Sequence, residues 1–226
     1  MTYSVKETYL TIQGEGAYTG RVAVFCRFAG CNLWSGLEED RSTAVCSFCD
    51  TEFVGIDGTG GGKFNSPENL TNHIISFWNG ADDPFVVFTG GEPLLQLDNK
   101  LVEALKKERV EMAIETNGTI LPPDGIDWIC VSPKQEAELV VSKGDELKIV
   151  YPQDGLDPSN FLDLDFDVFS LQPMDGKEYN NNLQETLVYC RKNPEWRLSL
   201  QTHKYCLLYT SPSPRDRTRS RMPSSA

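Results

Sequence analysis

Apolar and β-branched residues gather in short runs along the chain, at 22–28, 85–88, 110–114, 128–131, 147–150, 168–171 and 196–200, with polar or glycine-rich breaks between them. Runs of this length suit buried strands. Several of the intervening stretches carry helical spacing instead. One opens at Ser66 as an N-cap with Pro67 at the first helical position, places Leu70, Ile74, Phe77 and Trp78 on one face, and stops at Gly80. The serine oxygen satisfies an orphan N–H there, and proline lacks only the N–H that a first turn does not use. Leu101 with Leu105, and Leu183 with Leu187 and Cys190, mark two more helices. Strands alternating with helices predict βα units around a largely parallel sheet. No second domain, repeat or long linker interrupts this pattern before residue 206.

The breaks after these runs are as regular as the runs themselves. Residues 85–88 lead into Thr89-Gly90-Gly91-Glu92-Pro93, 110–114 into Glu115-Thr116-Asn117-Gly118, and 128–131 into Ser132-Pro133-Lys134. Residues 168–171 lead into Gln172-Pro173-Met174-Asp175, and 196–200 into Gln201-Thr202-His203-Lys204. Each alone is an ordinary turn. Barrels and open α/β sheets carry their active sites at the carboxyl edge of the strands, so five such groups on one edge predict a site there.

Composition narrows the function. The 226 residues hold 33 acids against 21 bases, a net charge of −12. That argues against binding nucleic acid through its phosphates, which takes a basic face, and favours a small-molecule substrate. Neither a signal-peptide core nor an apolar run of membrane-spanning length is present. Seven cysteines, an odd number, then read as reduced thiols of a cytoplasmic protein, where clustered cysteines more often bind metal than pair. The last residues break from the rest: 206–226 carry five Ser, three Pro and four Arg against one acid, for +3, leaving −15 on residues 1–205. We read 206–226 as a tail foreign to the fold, either a disordered basic segment or a translated sequencing adapter, and 1–205 as the core domain.

Cys31, Cys46 and Cys49 are the strongest local feature, fourteen residues separating the first two and two the second pair. A zinc site would want a fourth ligand, and since His73 and His203 are both far from this loop in sequence, a non-enzymatic zinc module completed by a distant residue stays open as an alternative. A 4Fe-4S cube held by three thiolates keeps one iron open for a chelating cofactor. Cys26, Cys130 and Cys190 fall inside strand or helix patterns and read as small buried hydrophobes. Lys106-Lys107-Glu108-Arg109 reads as a solvated helix end, and 58–62 as a flexible glycine loop.

With Thr89-Gly90-Gly91-Glu92-Pro93, the three cysteines resemble the radical S-adenosylmethionine superfamily, although that superfamily commonly has three residues in the first interval. Adding Thr11-Ile12-Gln13-Gly14-Glu15-Gly16, Arg27, Cys46-Ser47-Phe48-Cys49-Asp50-Thr51, Ser132-Pro133-Lys134 and Gln172-Pro173-Met174-Asp175, residues 5–205 resemble the 7-carboxy-7-deazaguanine synthase family. The resemblance implies an α/β fold, a partial βα barrel. It implies a lyase that turns 6-carboxy-5,6,7,8-tetrahydropterin into 7-carboxy-7-deazaguanine with loss of ammonia, in queuosine biosynthesis; a radical enzyme with another substrate stays open beside it, as does the zinc module. It also implies a homodimer, an electron donor such as a flavodoxin, and a 4Fe-4S cluster, S-adenosylmethionine and Mg²⁺ as cofactors.

Residue by residue, the resemblance implies that Cys31, Cys46 and Cys49 hold the cluster and Thr51 the Mg²⁺. Phe48, Cys49, Asp50, Gly91, Glu92, Ser132, Pro133, Lys134, Gln172, Pro173, Met174 and Asp175 would bind the cofactor. Ile12, Gln13, Gly14, Glu15, Arg27, Thr89, Glu115 and His203 would meet the substrate. Plainer roles stand beside these: a turn for Gln13-Gly14-Glu15-Gly16, a solvent-facing charge for Arg27, a helix cap for Asp50-Thr51, a salt-bridged rim charge for Glu115, a core histidine or helix cap for His203.

Overall fold

The computed structural model describes residues 2–206; of the foreign tail expected at 206–226, all but Cys206 lies outside them. In chain order the elements are β1 (Tyr3–Ile12), β2 (Val22–Phe28), β3 (Gly62–Phe64), α1 (Pro67–Ile75), β4 (Phe85–Gly90), α2 (Asn99–Lys107), β5 (Glu111–Thr116), β6 (Trp128–Val131), β7 (Lys143–Tyr151), β8 (Asp165–Pro173), α3 (Tyr179–Lys192), β9 (Trp196–Leu198) and α4 (Thr202–Tyr205). All the strands lie in one sheet ordered β3-β1-β2-β4-β5-β6-β7-β8-β9. The β3–β1 and β1–β2 pairs are antiparallel, and from β2 to β9 every pair is parallel. Edge strands β3 and β9 do not pair, so the sheet is an incomplete barrel, as the family resemblance implies.

All seven apolar runs fall on strands. The sequence pattern passes over β1, because this strand buries Lys6, Glu7 and Thr8 along with its apolar residues. Paired on both sides, it satisfies its charges internally: Lys6 Nζ donates to Glu52, to the Val54 carbonyl and to Asp57 at 3.2, 2.9 and 2.7 Å. Helix α1 starts as expected, with Ser66 Oγ accepting from Asn69 N at 3.2 Å. It ends at Ile75 rather than Gly80. Ser76 Oγ donates to the His73 carbonyl at 2.6 Å, a local bond that competes with the helix, and Phe77 and Trp78 pack on the core from beyond the helix end.

The glycine loop is not flexible in the sense expected. Gly58 N donates to the Lys6 carbonyl at 2.9 Å and Thr8 N to the Thr59 carbonyl at 2.7 Å. A Cβ on Gly61 would sit 2.3 Å from the Lys6 oxygen. Glycine is there so that two backbones can touch. One core cluster lies under β1, β2, β4 and β5 against α1 and α2, and a second joins β7, β8, β9 and α3.

Candidate active site

The loops at the carboxyl ends of the parallel strands, the β1–β2 turn and the cysteine loop enclose one cavity. Of the residues expected to bind cluster, cofactor, Mg²⁺ or substrate, all line it except Glu92 and Pro133. The cysteines form one wall. Leu33 N donates to Cys31 Sγ at 3.4 Å, and Cys49 Sγ lies 3.9 Å from the Thr51 carbonyl. Cys46 and Cys49 share a thiol hydrogen bond that, against burial, draws Cys49 down to about 7. Among the described residues no three Cys, His, Asp or Glu side chains close into a single-ion shell. A cube asks for something else, one thiolate per iron from separate points, and three thiols on one cavity wall fit that donor set.

Gly91 brings the β4 loop onto this wall. A Cβ there would stand 2.3 Å from the Gly30 carbonyl oxygen and 2.6 Å from Cys31 Cβ. Beside it, Glu92 turns away from the cavity and is fully buried. Its carboxylate accepts from Leu94 N at 3.0 Å, Thr116 Oγ1 at 2.8 Å and Asn117 N at 2.8 Å. Glu92 ties the loops after β4 and β5 together. Pro133 is also buried below the surface, with Ser132 and Lys134 lining the cavity on either side; Lys134 Nζ donates to the Ser132 carbonyl and hydroxyl at 2.6 and 2.8 Å.

Another part of the lining is charged. Lys148, on β7, places its ammonium 2.9 Å from both Glu15 and Glu115. Gln201 donates to Glu15 at 2.9 Å and Gln13 to Glu115 at 3.3 Å. Two carboxylates sharing one cation do not titrate alike. Burial pushes both up; for Glu15 the charges of Lys148 and His203 and its hydrogen bonds outweigh this and leave it at about 2. For Glu115 burial wins over Lys148, helped by the Glu15 charge, and the carboxyl stays raised. Glu115 is thus salt-bridged, yet it faces the cavity rather than an outer rim.

Arg27 lies within β2 and is buried, so it is no solvent-facing charge. Its Nε donates to Glu7 at 2.9 Å and its Nη1 to the Gly90 carbonyl at 3.4 Å. His203 stands on α4 against Gly14, whose added Cβ would meet the imidazole at 2.4 Å, and burial pulls its pKa down. Asp50 caps no helix. It accepts from Lys204 Nζ at 2.7 Å, and the same ammonium reaches Asp175 at 2.9 Å.

Sequence reasoning missed Lys148, Gln201 and Lys204 as parts of the site. Lys148 had a signal: it is a charge inside the apolar run 147–150 of a central strand, where an unpaired ammonium would be prohibitively costly. Gln201 and Lys204 sit beside His203 in an expected loop, but nothing local marks their partners.

The Radical SAM superfamily pattern matches residues 41–131, taking in Cys46 and Cys49 but beginning beyond Cys31. A 7-carboxy-7-deazaguanine synthase of Caulobacter vibrioides is 57% identical over 206 residues, which span 91% of this chain and 98% of the relative. That of Nitratidesulfovibrio vulgaris is 50% identical over 212 residues, spanning 91% and 98%. Among solved structures, QueE from Escherichia coli matches with a TM-score of 0.64 at 26% identity, over 88% of this chain and 94% of that one.

Proposed function

The chain belongs to the 7-carboxy-7-deazaguanine synthase family, radical S-adenosylmethionine enzymes of 7-deazapurine biosynthesis, and from that premise we propose that it converts 6-carboxy-5,6,7,8-tetrahydropterin to 7-carboxy-7-deazaguanine and ammonia. The observation that carries this reading is the meeting, in one cavity, of three cysteines with Gln13, Glu15, Arg27, Thr51, Glu115 and His203. The family implies a 4Fe-4S cluster and S-adenosylmethionine, which when bound would supply the radical chemistry that the ring contraction needs.

The protein's share is binding and orientation. Cys31, Cys46 and Cys49 would each hold one iron. Gly91, with the backbone of its loop and the flanking Phe48, Ser132, Lys134 and the 172–175 loop, would seat S-adenosylmethionine beside them. Glu92 would act one layer behind, by fixing that loop. Across the cavity, Gln13, Glu15 and Glu115 offer acceptors to the N–H groups of a pterin ring, while Arg27 suits its carboxylate through the planar guanidinium. Thr51 would give Mg²⁺ one hard oxygen, the substrate carboxylate supplying more. Ammonia leaves only after its nitrogen gains a proton, and Glu115, raised by burial, is a carboxyl able to hold one inside the cavity. We take residues 1–205 as the catalytic unit, acting as a cytoplasmic homodimer served by a flavodoxin-like reductant; among the described residues no helix is long and apolar enough to cross a membrane.

Anaerobically reconstituted protein given the carboxytetrahydropterin, Mg²⁺, S-adenosylmethionine and reductant should release ammonia and 7-carboxy-7-deazaguanine. Ammonia should fail to appear when either S-adenosylmethionine or reductant is withheld. A protein that binds cluster and S-adenosylmethionine yet leaves this pterin unchanged while transforming another substrate would overturn the assignment.

A further inference from the structure

The fourteen residues between Cys31 and Cys46 have no task in the chemistry above, yet they are not a slack spacer. They fold back through a 3₁₀ turn at Glu38–Thr43, and Arg41 points from it to the rear of the cysteine loop. Arg41 Nη1 donates to the carbonyl oxygens of Ser47 and Cys49, both at 2.9 Å. Its Nε donates to Glu38 at 2.8 Å, and the guanidinium carbon lies 4.1 Å from the centre of the Trp34 ring. Trp34 is itself fixed, buried edge-on against Phe53 at 5.5 Å with its Nε1 donating to the Leu37 carbonyl at 3.1 Å. A cation is thereby clamped against two carbonyls of the Cys46–Cys49 turn, one of them that of Cys49. Arg41 does not line the cavity, so it acts from behind.

We infer that Arg41 is a positioning residue for the iron–sulfur cluster: it holds the Cys46–Cys49 turn in ligand geometry and keeps a positive charge behind that turn. The inference rests on reading Cys31, Cys46 and Cys49 as the cluster ligands. Carbonyls held outward by a cation are not turned toward anionic sulfur. A nearby positive charge also favours the state carrying the added electron, whereas Glu38 opposes it, more weakly because it is 64% exposed. Groups one layer behind metal ligands typically change metal affinity by about 10- to 100-fold.

The test is redox titration of the anaerobically reconstituted full chain, followed by EPR of the reduced cluster, together with the rate of iron loss to a chelator. Arg41→Met should move the midpoint potential negative and speed iron loss roughly tenfold or more. Arg41→Lys should keep the potential near wild type but still lose iron faster, since an ammonium lacks the planar fork. Glu38→Gln should not move the potential negative. General loosening would shift R41M and E38Q in the same direction, and that result, or wild-type behaviour of R41M, would overturn the inference. Should R41M fail to fold, R41K and E38Q carry the test. A wild-type chain that takes up no cluster would overturn the ligand assignment and this inference together; a stable cluster indifferent to Arg41 would overturn this inference alone.

Discussion

Lys148 shows how one side chain can decide the behaviour of others far along the chain. It is buried between Glu15 and Glu115, so removing it strands two carboxylates in a poorly solvated site. Glu15, held at about 2 against an ordinary 4.5, contributes stability above the higher value and loses it as pH falls toward the lower. Lys148→Met is therefore expected to cost about 3–5 kcal/mol near neutral pH, and progressively less as pH drops below about 4.5 and the carboxyls protonate. Denaturant titrations at neutral and mildly acid pH check this; a loss independent of pH would contradict it. Glu92 makes a second residue-level case. An amide in its place presents a donor where three donors already converge, so Glu92→Gln should lower stability by about 1–3 kcal/mol. S-adenosylmethionine binding should weaken too, and calorimetry beside thermal unfolding would measure both.

Among the elements, the β4 loop lies against the cysteine wall, and in the function proposed above its distance from that wall sets where the cofactor would sit. Gly90 pairs with Phe28 in the sheet, and Gly91 immediately beyond it lies on Gly30 and Cys31. Glu92 N then donates to the Gly30 carbonyl at 2.9 Å. A methyl at Gly91 pushes these two backbones apart, and a shift of about 1 Å at a reacting centre can cost roughly 100-fold in rate. Gly91→Ala is expected to retain the fold, by circular dichroism and melting, but to lose turnover on that order. Wild-type turnover in G91A would show that the contact does not set the geometry. Element boundaries obey local chemistry where it dominates, as at Ser66 and Pro67, and depart from the apolar spacing at Ile75, where a serine side chain takes a helix carbonyl.

For the molecule as a whole, the sheet is open, its edge strands β3 and β9 not paired to each other, and polar ties from the segment after β9 complete the site. Thr202 N and Oγ1 both donate to the Gly14 carbonyl at 2.9 Å, Gln201 reaches Glu15, and Lys204 joins Asp50 to Asp175. These bonds draw residues 201–204 over the cysteine loop and the β1–β2 turn. Lys204→Met should leave cluster content unchanged while raising the KM for S-adenosylmethionine about tenfold, the size of one well-placed charge-assisted bond. Loss of cluster as well would show that Lys204 supports the cysteine loop itself.

Much of this protein was legible in its sequence. Strand positions came from short apolar runs, the active edge from the polar groups after them, and much of the cavity lining from those groups together with the cysteine, Gly-Gly-Glu and Gln-Gly-Glu-Gly motifs. These are relations between neighbours, and neighbours are fixed by the chain. What only the tertiary structure decided are relations between strangers. Lys148 meets Glu15 across 133 residues of sequence and Gln201 meets it across 186; Glu92 turns inward because donors from β5 await it, and β1 buries charges because both its edges are paired. A buried charge is stable only opposite its partner, and no local pattern states which partner the fold will bring.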